Sequence, residues 1–152
     1  MTPLFKKLNL ATQPVIHVLN APASFEPELA ALSGIEVQRC LGAKTNFALA
    51  FVITQAELDA CSARLSKAAE GDATVWLAYP KGSSRKYRCE FNRDSGWAVL
   101  GNAGFEPVRQ VAIDEDWSAL RFRRAEFIRS MTRDPAGAIS PAGKARAARR
   151  VA

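Results

Sequence analysis

At 152 residues the chain is long enough for one domain that buries roughly 68–70% of its unfolded surface without covalent or metal staples. With 48% hydrophobic and 24% charged residues it is not a disordered chain, and Cys40, Cys61 and Cys89, odd in number and widely spaced, fit neither a disulfide framework nor a zinc knuckle. The formal net charge of +6 sits at the end of the chain: residues 1–120 carry twelve Lys and Arg against thirteen Asp and Glu, residues 121–152 nine against two.

A near-neutral body argues against a nucleic-acid-binding fold, which would show a basic face of its own. Contact with nucleic acid is therefore expected to be weak and nonspecific, through the tail. No run approaches the roughly 20 apolar residues of a membrane helix, and MTPLFKKLNLATQ lacks the apolar core of a leader. The reading is a cytoplasmic protein with no membrane contact.

In chain order, residues 15–21 (VIHVLNA) are a continuous apolar run leaving into Asn-Ala-Pro-Ala, the pattern of a buried parallel strand. Ser24 is placed to cap a helix over residues 25–32, with Pro27 tolerated in its first turn and Gly34 as its stop. Residues 35–40 predict a short second strand and residues 47–53 (FALAFVI) a third, apolar on both faces. Thr54 followed by Glu57 is a capping box that opens a helix from Gln55 to about Ala69, with Leu58, Cys61, Leu65 and Ala68 as its buried stripe. Residues 74–80 give a fourth strand. Asp94 is expected to cap a short helix through Ala103 that ends at Gly104. Residues 108–113 and 118–122 then form a hairpin about Asp114, Glu115, Asp116 and Trp117.

Strands alternating with helices imply right-handed crossovers and a mostly parallel sheet covered on both faces, an α/β three-layer sandwich. The expected order is 2-1-3-4 followed by the antiparallel hairpin, so the winding direction reverses between the first and third strands. Asn20, Ser24 and Thr54 should border that switch point, where open α/β sheets hold ligands. One strand away lies the segment YPKGSSRKYRCEFNRDSGW. It places Lys81, Ser83, Ser84, Arg85, Lys86, Arg88 and Arg93 just beyond the carboxyl end of the fourth strand.

Other chemistries find little footing. His17, the single histidine, lies inside an apolar strand, which excludes a nitrogen and sulfur metal site and suggests a satisfied core side chain. Lys81 precedes Gly82, so KGSS is not the end of a phosphate-binding P-loop, and no Gly-x-Ser-x-Gly elbow surrounds Ser83 or Ser84. Asp114, Glu115 and Asp116 read as a solvated turn, with a divalent-ion site as the alternative. Trp117 beside them could be an exposed stacking surface.

The element pattern, closing with a helix and VRQVAIDEDWSALRFR, resembles a shortened Rossmann-like methyltransferase domain. LNAP, YPKGSSRKY, NRDSGW and DEDWSALRFR together resemble a family of small uncharacterised bacterial proteins, a domain of unknown function, over residues 14–124. The resemblance implies the fold and brings no established activity. Two departures stand out from the methyltransferase pattern: Asn20, Ala21, Pro22 and Ala23 contain no glycine where that family has a glycine-rich turn. The second strand ends in Arg39, Cys40, Leu41 and Gly42, with no acidic residue to hold a ribose. No cofactor and no metal are expected.

The combined reading is one Rossmann-like domain over residues 1–131 and a weakly held basic tail over residues 132–152, where Ser140 and Pro141 could start a short helix. Its function would be binding of a small anionic ligand, a nucleotide or phosphorylated metabolite. Lys81, Arg85, Lys86 and Arg93 would supply charge, and Asn20, Ser24, Thr54, Ser83 and Ser84 oriented polar groups; no catalytic residue is assigned. The alternatives are a divergent methyltransferase-like transferase and an adaptor that binds protein or nucleic acid through the tail.

Overall fold

The computed structural model describes residues 2–128. The basic tail, with Ser140 and Pro141, lies outside them. Among these residues four α-helices and six strands run in the order α1 (Pro3–Lys7), β1 (Val15–Leu19), α2 (Glu26–Ala30), β2 (Glu36–Gln38), β3 (Thr45–Phe51), α3 (Gln55–Ala68), β4 (Ala69–Pro80), α4 (Ala98–Asn102), β5 (Phe105–Ala112) and β6 (Trp117–Arg124). One six-stranded sheet holds all the strands in the order β2-β1-β3-β4-β6-β5. β1 to β4 are parallel, and β6 lies antiparallel between β4 and β5. This is the Rossmann-like three-layer α/β sandwich, with the winding reversal between β1 and β3 where the apolar runs placed it.

Alternation along the strands sends side chains into two cores. Ala48, Ala50, Val75, Leu77, Leu120 and Phe122 pack against Leu58, Cys61 and Leu65 of α3 and Leu100 of α4. On the other face Ile16, Val18, Leu49, Phe51 and Trp76 pack against Phe5, Phe25 and Leu29. β4 is buried from Ala73 to Pro80, as a strand covered above and below must be. α1 is a short turn that buries Phe5 and is too brief to show helical periodicity. Thr2 caps it, and Trp76 Nε1 donates to the Leu8 carbonyl at 2.8 Å just beyond its end.

Three expectations change. Ser24 caps nothing: Phe25 N–H donates to the Pro22 carbonyl in a tight turn over Ala23–Phe25, and α2 starts from Phe25 without a side-chain cap. Asp94 does not cap α4, which begins at Ala98, because residues 92–96 close on themselves. Asn92 Oδ1 accepts from the Asp94 N–H and the Ser95 hydroxyl, and Gly96 turns at φ +100°. A Cβ at Gly96 would stand 2.7 Å from that of Phe91 and 2.8 Å from Gln55 Oε1, so only glycine fits there. Finally, α3 runs into β4 with no loop, and the sheet absorbs the extra residues as a bulge, Thr45 pairing Ala69 and Phe47 pairing Thr74.

The capping box at Thr54 forms as its spacing requires. Thr54 Oγ1 accepts from the Glu57 N–H at 3.1 Å, and Glu57 Oε1 accepts from the N–H groups of Thr54 and Ile53. Those backbone donors, Thr54 first and Ile53 second, hold the Glu57 carboxyl below its ordinary range. A depressed folded-state value stabilises the protein above the ordinary carboxylate range, and that stability is lost as pH falls through it and below. Thr54→Ala should cost about 1 kcal/mol in urea unfolding at neutral pH. Glu57→Gln should flatten the decline in stability on acidification; an unchanged acid limb would show that the box contributes nothing to it.

Candidate functional site

Sixteen residues from Lys81 to Gly96 link the carboxyl end of β4 to the α4 region, and polar contacts stitch them to three neighbours. Lys81 N–H donates to the Asp116 carbonyl at 2.8 Å. Ser84 Oγ donates to Asp116 Oδ1 at 2.8 Å and accepts from the N–H groups of Lys86 and Tyr87. Glu90 N–H donates to the Ile53 carbonyl, and its Oε1 accepts from the Gln55 N–H. Gln55 Nε2 donates to the Gly96 carbonyl at 2.8 Å.

Under this segment lies an open cleft of about 1120 Å³, at the carboxyl ends of β4 and β5 and the amino end of β6. Its floor is polar. Gln110 Nε2 donates to Tyr79 Oη and Ser118 Oγ, both at 3.1 Å. Burial raises the Tyr79 phenol above its ordinary range, opposed by the Ser118 hydroxyl bond and the Arg93 charge, so it stands as a neutral hydroxyl at neutral pH. Lys81, Arg88 and Arg93 bring three cations to the walls, with Ser83, Asn92 and Ser95 as neutral polar groups. Arg93 leans towards exposed Asp94 at 3.4 Å, and among the described residues Lys81 and Arg88 form no ion pair. Glu90, the one carboxylate of the lining, already serves the start of α3.

The polar residues expected around one ligand fall into three groups. Lys81, Ser83, Ser84 and Arg93 line the cleft, with Ser84 spent on the turn it closes. Arg85 and Lys86 are exposed outside the lining, Lys86 Nζ lying 5.6 Å from the centroid of the Tyr87 ring. Asn20, Ser24 and Thr54 stand at the switch point instead. Asn20 Nδ2 reaches the Phe51 carbonyl at 3.4 Å, tying β1 to β3, while Thr54, Glu57 and Glu90 fill the N-terminus of α3 with the chain's own acceptors. The N–H groups of Gln55 and Glu57 are thereby already taken.

Tyr79, Gln110 and Ser118 were not singled out in the sequence. Only the pairing of β5 with β6 and of β6 with β4 brings them together. The acidic trio is a turn: Asp114 Oδ1 accepts from the N–H groups of Asp116 and Trp117, and Asp116 takes Ser84. Among the described residues no cluster of His, Cys, Asp and Glu could hold a metal ion. Trp117 is buried, edge-on to Phe51 at 5.1 Å, and presents no stacking surface. His17 is satisfied, its Nδ1 2.7 Å from Thr45 Oγ1 and its Nε2 3.0 Å from Gln38 Oε1.

No family model and no curated protein sequence matches the chain. Solved structures resemble it over much of its length. The CcbJ methyltransferase from Streptomyces caelestis is 10% identical, with 80% of this chain and 92% of that chain covered at a TM-score of 0.49. The N-methyltransferase NodS from Bradyrhizobium japonicum WM9 is 11% identical over 80% and 92%, TM-score 0.48. The fibrillarin pre-rRNA processing protein of Methanococcus jannaschii is 11% identical over 74% and 66%, TM-score 0.48. At such identities and scores the likeness transfers no residue roles. Among the described residues no helix is long and apolar enough to cross a membrane.

Burial also grades the thiols. It raises Cys61 and Cys89 above the ordinary range, which suppresses the reactive thiolate, whereas Cys40 is exposed. Iodoacetamide at pH 7.5, followed by peptide mass spectrometry, should therefore modify Cys40 first, Cys89 slowly and Cys61 only on unfolding. Rapid labelling of Cys89 would show that the cleft segment opens.

Proposed function

We propose that the protein binds a small anionic ligand, a nucleotide or a phosphorylated metabolite, in the cleft beneath residues 81–96. The observation that carries this reading is the imbalance of charge there: Lys81, Arg88 and Arg93 line the cleft with Glu90, whose carboxylate is already committed. Guanidinium and ammonium groups around a polar floor are the recognition chemistry of phosphate oxygens. The Tyr79, Gln110 and Ser118 group adds hydroxyl and amide functions for the rest of such a ligand. The cleft volume suits a nucleotide better than a bare phosphate.

A second reading is a divergent methyltransferase-like transferase that has replaced the glycine-rich turn after β1. Asn20 favours it, because this residue adopts φ +58° at the end of that strand. Asparagine is among the few residues besides glycine that enter the left-handed region readily, so the chain can turn sharply there without glycine. Against it stands the end of β2, where Arg39 pairs with Glu26 through two hydrogen bonds of 2.7 Å.

Thermal shift separates the two. Inorganic phosphate, ATP and S-adenosylmethionine are each titrated into the full chain. A ligand present at 100 times its dissociation constant stabilises the native state by about 2.7 kcal/mol. The first reading expects a shift with ATP that disappears in the Lys81→Ala, Arg88→Ala double variant and survives in the Arg85→Ala, Lys86→Ala double variant. A shift with S-adenosylmethionine alone would transfer support to the transferase, and an ATP shift insensitive to Lys81 and Arg88 would remove the cleft from the account.

A further inference from the structure

The floor of the cleft holds hydrogen-bonding capacity that the protein's own contacts do not use up. Tyr79 of β4 and Ser118 of β6 stand directly opposite each other in the antiparallel register, and both are buried, at 4% and 5% exposure. The Tyr79 ring packs against Phe91 at 5.9 Å and against Trp97, edge-on, at 5.6 Å, which fixes where its hydroxyl sits. Gln110, exposed on β5, reaches across to both hydroxyl oxygens at 3.1 Å.

An amide nitrogen carries two hydrogens, and Gln110 Nε2 spends one on Tyr79 Oη and the other on Ser118 Oγ. The Gln110 carbonyl Oε1 is left with no hydrogen-bond partner among the described residues. Burial raises the Tyr79 phenol, and the Ser118 hydroxyl, donating to its oxygen, opposes that rise. With its oxygen accepting from both neighbours, the Tyr79 O–H has no acceptor among the described residues. One acceptor, the amide carbonyl, and one donor, the phenol, thus remain on hydrogen-bonded side chains that carry no charge.

The surroundings divide in the same way. Lys81, Arg88 and Arg93 come from the 81–96 segment, whereas the neutral polar groups come from the sheet. Pro80, Phe91 and Ala112 add apolar surface to the lining. The lining therefore offers cations for one end of a ligand, and a neutral donor and acceptor with apolar cover for the other.

We propose that the floor is a specificity element for a nucleobase: a bound nucleotide places its phosphate on the 81–96 segment and the hydrogen-bonding edge of its base on Gln110 Oε1 and the Tyr79 hydroxyl. This rests on the anionic-ligand reading of the cleft and narrows it. A nucleobase carries a donor next to an acceptor on one edge, and proteins read unpaired bases by that edge and by contact with their flat faces. The paired sugar hydroxyls of a simple sugar phosphate are held best by a carboxylate. Glu90, the carboxylate of the lining, is bonded to the Gln55 N–H instead.

The test is isothermal titration calorimetry of the full chain with AMP, GMP, CMP and UMP, and with ribose 5-phosphate as the same anion without a base. A neutral hydrogen bond is worth roughly threefold to tenfold in affinity, so at least one nucleotide should bind about tenfold tighter than ribose 5-phosphate. Gln110→Met keeps the length of the side chain and removes its carbonyl. It should weaken that nucleotide by roughly threefold to tenfold and leave ribose 5-phosphate unchanged, and Tyr79→Phe should do the same. The Lys81→Ala, Arg88→Ala double variant should weaken nucleotide and sugar phosphate alike. Thermal melts check that each variant is folded. Ribose 5-phosphate binding as tightly as every nucleotide, or a Gln110→Met variant that loses nucleotide and sugar phosphate equally, would overturn the base-reading role and leave the anion site standing. Absence of binding by all five compounds would overturn the anionic-ligand reading itself, and this inference with it.

Discussion

Everything in this fold depends on how β4 satisfies its backbone. Buried on both faces, the strand has no water to bond, so its N–H and C=O groups must be met on both edges by other strands. β3 meets one edge in parallel; β6 meets the other in antiparallel, which forces the last strand to return between β4 and β5. That return brings the hairpin turn at Asp114–Asp116 alongside the start of the residues after Pro80, where Lys81 and Ser84 bond to Asp116. The cleft is a by-product of the sheet's need to pair its central strand.

How much could be read beforehand follows from the range of the interactions. Continuous apolar runs located β1, β3 and β4, and the Thr54 and Glu57 spacing located α3, because those signals are local. The hairpin about Asp114 was equally visible. Which strand pairs which is decided across tens of residues, so the Tyr79, Gln110 and Ser118 group could not be seen before register was known. α1 was missed for a different reason: its stability comes from Phe5 entering a core and from Trp76, 68 residues away, rather than from periodicity of its own. Ser24 and Asp94 failed as caps because nearby turns satisfied the backbone first.

The same distinction governs charge. Counted along the sequence, residues 1–120 are almost balanced. In space they are not, since the acids are consumed structurally. Glu57 and Glu90 serve the start of α3, Glu26 holds Arg39, Asp72 holds Arg123, and Asp114 and Asp116 shape a turn. Lys81, Arg88 and Arg93 are left lining the cleft, where the carboxylate of Glu90 is already committed. Net charge reports composition; it does not report which faces remain cationic once the acids are committed.

The sheet's two borders have a further consequence for behaviour at high concentration. An outer strand with a long free ladder invites another chain to pair with it. Here β2 offers only three residues, with exposed Glu36 and Gln38. β5 carries Pro107, which lacks an N–H, next to a register shift and the exposed charge of Arg109. Neither border is a template for edge-to-edge growth, so self-association through sheet extension is disfavoured.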